Sequence, residues 1–131
     1  SDSMLKLLRR TPGKQKIDVY RKLSSVCTVS ELEELAEELR DRFGPLTEEA
    51  TRFISLKELE LLAYAWGIDG IRLEENRFAV FSYTDDQRIH TLAGRYGRDL
   101  RIVDRRNAYI VLPVKTPTGP KLVDFLKSVL R

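Results

Sequence analysis

The chain has 131 residues, 42% of them hydrophobic and 33% charged, and its 23 basic and 20 acidic side chains leave a net charge of +3. That balance excludes a disordered polyelectrolyte, and the length suits one domain with a real core. No run of about 18 apolar residues marks a membrane span, and the single cysteine, Cys27, excludes an internal disulfide or a cysteine metal cluster and points to a reducing compartment, the cytoplasm.

Ser1-Asp2-Ser3 ahead of Met4 has no signal-peptide character, because Leu5 to Leu8 is broken by Lys6 and ended by Arg9 and Arg10. Residues 1–13 read as an expression scar or a linker that ends in the turn Thr11-Pro12-Gly13, and residues 14–131 as a single α+β domain. Ile17, Tyr20 and Leu23 then fall at helical spacing, which predicts a first helix over 14–26. The second helix is the clearest element. Val29, Leu32, Leu35, Ala36, Leu39 and Phe43 form one apolar stripe, Ser30-x-x-Glu33 has the spelling of a capping box, and Gly44-Pro45 is a stop. Thr47 followed by Glu48 and Glu49 starts a third helix with Phe53, Leu56, Leu59, Leu62, Ala63 and Trp66 as core candidates, ended by Gly67.

From there the period changes from 3.6 towards 2. Ile71 and Leu73, then Phe78 to Tyr83, predict two strands joined around Glu75-Asn76. Leu100 to Val103 and Ala108 to Leu112 predict a second hairpin around Asp104 to Asn107. Between the hairpins, Thr84-x-x-Gln87 is a capping-box pattern for a short helix with Ile89, Leu92, Ala93 and Tyr96 inward and Gly97 after it. Thr118-Gly119-Pro120 opens a last helix that turns Leu122, Val123, Leu126, Val129 and Leu130 inward. The expected fold is α+β, with amino-terminal helices followed by ββαββα and a small antiparallel sheet.

Charge is unevenly distributed along the chain. Residues 1–27 carry seven basic and two acidic side chains, 28–60 four and ten, 61–85 two and four, and 86–131 ten and four. An acidic middle between basic ends suits a surface built to meet another charged surface, and it also describes ordinary solvated helix faces.

The motifs of catalysis do not assemble. His90 is the only histidine and lies in a helical pattern without a serine elbow, and the seven glycines make no phosphate-binding loop, so neither a catalytic centre nor a cofactor or metal site is expected. Glu34 and Glu38 stand one turn apart on an exposed helix face, which is not the facing geometry of paired catalytic carboxylates. Asp41 breaks a local rule, since a negative charge in the last turn opposes the helix dipole. With Glu38 at i−3 it forms an acidic patch that either pairs locally, with Arg40, Arg42 or a neighbouring helix, or answers a partner. A second surface is conceivable on the sheet. If Phe81, Tyr83 and Tyr109 shared an exposed face, the rings would stack bases and Arg101, Arg105 and Arg106 would contact phosphates of a single-stranded nucleic acid.

The stretch Ile17-Asp18-Val19-Tyr20-Arg21-Lys22-Leu23, then Glu31-Leu32-Glu33-Glu34-Leu35, then Glu38-Leu39-Arg40-Asp41-Arg42-Phe43-Gly44-Pro45-Leu46 resembles the carboxy-terminal domain of the bacterial transcription-repair coupling factors. The resemblance runs on through Leu59-x-x-Leu62-Ala63 to Gly67-Ile68-x-x-Ile71 and covers residues 17–73; beyond residue 75 it is one of pattern. It implies a regulatory module rather than an enzyme, cut from an ATP-driven translocase of double-stranded DNA that engages stalled RNA polymerase and recruits the excision-repair protein UvrA. It further implies that the domain folds back on a UvrB-like amino-terminal module of the same polypeptide and masks the UvrA-binding surface. Glu38 and Asp41, flanked by Glu34 and Arg42, fall on the motif that the resemblance assigns to that interdomain contact.

Overall fold

The computed structural model describes residues 21–115 and 118–131. The chain divides into two compact units, Ser1–Leu61 and Leu62–Arg131. The architecture is α+β, in the element order the sequence predicts. The expected linker at 1–13 and most of the first predicted helix lie outside the described residues; 21–25 is helical.

In the first unit, α1 spans Val29–Phe43 and α2 begins at Glu48 and runs to Ala65. The apolar stripe of α1 is the inner face: Leu32, Leu35, Ala36 and Leu39 are buried, and the three leucines cluster with Leu23, Val26 and Ala50. The cap lies two residues earlier than Ser30-x-x-Glu33 suggests. Thr28 Oγ1 accepts from the Glu31 amide at 3.1 Å, which makes Thr28 the N-cap, and Glu31 Oε2 accepts from the amide of Cys27, one residue before the cap, at 3.1 Å. Gly44, at φ 81°, turns the chain out of α1 and donates to the Arg40 carbonyl at 2.8 Å. Thr47 caps α2 as its sequence implies, through the Ala50 amide at 3.1 Å. Leu56, a predicted core residue, is 51% exposed, because it shares a side of α2 with the exposed Arg52 and Glu60, one turn to either side.

The second unit is built on a four-stranded antiparallel sheet of order β1-β2-β4-β3, formed by β1 (Ile68–Glu74), β2 (Phe78–Tyr83), β3 (Leu100–Ile102) and β4 (Asn107–Val111). The β1–β2 connection, residues 75–77, has positive φ at both Glu75 (54°) and Asn76 (49°), and the Arg77 amide closes it by donating to the Glu74 carbonyl at 3.0 Å. Helix α3 (Asp86–Ala93) is capped by Asp85, whose carboxylate accepts from the Arg88 amide, not by Thr84, which leaves Ile89 and Leu92 fully buried. Helix α4 (Pro120–Leu130) buries Leu126, Val129 and Leu130.

Pairing fixes which face of the sheet is closed. Ile71, Phe81, Ala108 and Ile102 lie in one cross-strand row and Leu73, Ala79, Ile110 and Leu100 in the next. Phe81, Ala79, Ala108, Ile110 and Leu100 are all at most 2% exposed. The rows of the opposite face are Arg72, Val80, Tyr109 and Arg101, then Glu74, Phe78 and Val111. Replacing Phe81 with Ala should therefore cost about 3–5 kcal/mol in denaturant unfolding, whereas Leu56→Ala should stay within about 0.5 kcal/mol.

Candidate functional site

Because the buried stripe of α1 fixes its orientation, the other side presents Glu34, Glu37 and Asp41, at i, i+3 and i+7, as one exposed ridge. Among the described residues none of these three carboxylates forms an ion pair. Glu38 sits on the flank of the ridge and is in a different state. Lys22 Nζ donates to Glu38 Oε1 at 2.6 Å, and the Arg42 guanidinium approaches the same oxygen at 3.7 Å. The Lys22 hydrogen bond, joined by the charges of Lys22 and Arg42 and opposed by desolvation, holds the Glu38 carboxyl below the ordinary glutamate range. The four residues that sequence reasoning placed together, Glu34, Glu38, Asp41 and Arg42, thus divide into two outward carboxylates, Glu34 and Asp41, and a locally paired Glu38–Arg42. Lys22 escaped sequence reasoning, because it lies 16 residues from Glu38 and no helical spacing links them. On the far side of the ridge a groove of 290 Å³ has Val29, Leu32, Ala36 and Ile54 as apolar lining and Glu33, Glu37, Arg40 and Glu58 as polar lining.

The aromatic sheet face is not the one expected. Phe81 and Tyr83 are 0% and 3% exposed and belong to the closed face, while Tyr109 stands on the opposite one, paired across the ladder with Val80 and Arg101. The cause is register: Phe81 opposes Ala108, so Tyr109, one residue on, must point the other way. The ring that does accompany Tyr109 is Phe78, edge to face at 5.3 Å between centroids. Tyr83 instead anchors the β3–β4 turn: its hydroxyl donates to the Asp104 carbonyl, and its amide donates to the Arg106 carbonyl at 3.0 Å. Burial, with the nearby charges of Asp86 and Asp104, pushes its phenol above the usual tyrosine value. Asp104 completes the turn by accepting from the Arg106 and Asn107 amides at 2.8 Å, bonds that hold its carboxyl below the usual range. Arg105 and Arg106 extend from that turn into solvent, and Arg101 is exposed on β3.

The Lys22–Glu38 bond has a pH signature. A carboxyl whose folded pKa is depressed stabilises the fold above its unfolded value, about 4.3 for glutamate, and loses that contribution as pH falls through the folded value. Lys22→Ala should move the Glu38 titration, followed by NMR of the side-chain carboxyl carbon, back up towards the ordinary value and remove the corresponding part of the acid-limb stability.

Known proteins resemble this chain, some in sequence and one in fold. The transcription-repair-coupling factor of Bacillus subtilis is 25% identical over 126 residues, which cover 91% of this chain and 11% of that protein. The factor of Helicobacter pylori is 31% identical over 74 residues, 56% of this chain and 7% of that protein. The chain thus spans about a tenth or less of the length of these relatives. A crystal structure of the C-terminal domain of a transcription-repair coupling factor has the same fold, with a TM-score of 0.66 at 14% identity, over 91% of this chain and 80% of that one. Residues 11–92, more than half of the chain, match the model of the TRCF domain, and the chain belongs to that family.

Proposed function

We propose that this chain is a non-catalytic regulatory domain of a cytoplasmic, bacterial transcription-repair coupling factor, and that it acts as an intramolecular clamp. The acidic ridge of α1 docks on basic residues of the UvrB-like amino-terminal module of the same polypeptide, masks the surface that binds UvrA, and restrains the motor until RNA polymerase is engaged on double-stranded DNA. The observation that carries this reading is the state of the carboxylates. Asp41 occupies the last turn of a helix, where the dipole disfavours it, and has no cationic partner among the described residues, while Glu38 beside it is already held by Lys22.

Exposed ion pairs are individually weak and screened by salt, so the ridge cannot hold such a clamp unaided. Tethering supplies the remainder, because attachment within one polypeptide raises the effective concentration to about millimolar. An interface that is weak by itself and closed by tethering is easily released, which is what a regulatory contact requires. Lys22 and Arg42 have a positioning role in this scheme: they keep Glu38 extended along the ridge flank and temper its charge.

In the intact parent protein, Glu38→Arg combined with Asp41→Arg should raise both UvrA binding and basal ATPase activity. Asp41→Arg alone should deliver most of the effect, since Glu38 is compensated locally. Unchanged UvrA binding and ATPase activity in a folded double variant would contradict the clamp.

A further inference from the structure

Two concavities on the second unit join at one residue. The first, of 320 Å³, lies on the sheet face opposite the core and is lined by Phe78, Val80, Val103 and Tyr109 with Arg72 and Glu74 at its edge. The second, of 520 Å³, is polar and is lined by Ser82, Thr84, Arg105, Arg106 and Asp69. Asn107 lines both, and its ladder partner Ser82 lines the second, and by alternation both stand on the same sheet face as Val80 and Tyr109, so the pair of aromatic rings and the pair of arginines border adjoining concavities.

The charges around them favour an anionic occupant. The Arg77 guanidinium lies 5.2 Å from the Phe78 ring centroid, and Arg101 stands opposite Tyr109 in the ladder. Neither of these, nor Arg105 or Arg106, forms an ion pair among the described residues. Of the nearby acids, Glu74 is already bonded to Arg72 at 3.1 Å and the Asp104 carboxylate accepts from the turn amides, while Asp69 at the rim and Asp86 near Tyr83 work against an anion that the four arginines outnumber. The backbone of the turn that carries Arg105 and Arg106 is held by hydrogen bonds from Tyr83 and to Asp104, which sets the point from which these two exposed charges project. A protein partner would need several matched carboxylates to meet four guanidinium groups, whereas a nucleotide chain brings one charge per residue together with a flat ring for each aromatic.

We propose that this surface binds single-stranded nucleic acid, with bases stacking on Phe78 and Tyr109 and phosphates running towards Arg105 and Arg106. A duplex keeps its bases stacked on one another and offers none to the rings, which is why the occupant is single-stranded. The surface belongs to the second unit and is independent of the acidic ridge on α1.

The test is fluorescence anisotropy of a labelled single strand of about 20 nucleotides, long enough for one such site, titrated with the 131-residue chain at two salt concentrations. Saturable binding is expected, weakened about tenfold by Tyr109→Leu. Arg105→Ala with Arg106→Ala should flatten the dependence of log Kd on log salt by about 0.7 for each phosphate that is no longer neutralised. Thermal melts accompany each variant; should Tyr109→Leu fail to fold, the arginine pair, exposed and outside the core, decides the matter. The proposal is overturned by the absence of saturable binding, by equal affinity for a duplex, or by binding indifferent to these substitutions. It is overturned equally by concentration-dependent self-association that the same substitutions abolish, which would assign the surface to a second copy of the chain.

Discussion

The second unit depends on how the carboxyl end of α4 is satisfied. A helix leaves its last four carbonyls without intrahelical partners, and here three side chains from two other places in the chain supply donors. Trp66 Nε1 donates to the Leu130 carbonyl, Tyr96 Oη to that of Val129 and Arg95 to that of Arg131, each at 2.6 Å. The Arg95 guanidinium also lies 4.7 Å from the Trp66 ring centroid, so two of the donors brace each other. With the end of α4 fixed, Leu126, Val129 and Leu130 are committed to the core. The groove lined by Ile110, Leu112, Phe125 and Val129 marks where the helix meets the closed face of the sheet. Once one face is closed, the alternation of side chains along a strand settles the other, and Phe78, Tyr109 and Arg101 have nowhere else to point.

The first unit repeats that logic in a helix. Burial of Leu32, Leu35, Ala36 and Leu39 sets the rotation of α1, and rotation alone decides that Glu34, Glu37 and Asp41 form an outward ridge. What distinguishes the carboxylates is then their neighbours. Glu38 is neutralised by Lys22 and Arg42, and Asp41 is not. The two units therefore carry surfaces of opposite character, acidic on α1 and basic around the β3–β4 turn, which is the physical content of the uneven charge distribution along the chain.

Periodicity and punctuation made the element order legible, down to the stop at Gly44-Pro45 and the hairpin turn at Glu75-Asn76. Capping boxes were less secure, since Thr28 outcompeted Ser30 and Asp85 outcompeted Thr84: in each case a rival cap residue lies within two positions and spelling alone does not rank them. The aromatic face failed for a deeper reason. Alternation within β2 correctly separates Phe78 and Val80 from Phe81 and Tyr83, but joining β2 to β4 requires the cross-strand register, and a shift of one residue exchanges Tyr109 between faces. On α1, the acidic patch was visible from helical spacing and the dipole, whereas the Lys22 bond that sets Glu38 apart from Asp41 is tertiary and leaves no local signal.

The most direct measurement is a calorimetric titration of this chain against the UvrB-like amino-terminal module of its parent, with and without Glu38→Arg and Asp41→Arg. A clamp predicts binding that weakens as salt rises and vanishes with the charge reversal. No binding even near the millimolar concentrations that tethering provides, or binding that survives the reversal intact, would contradict it.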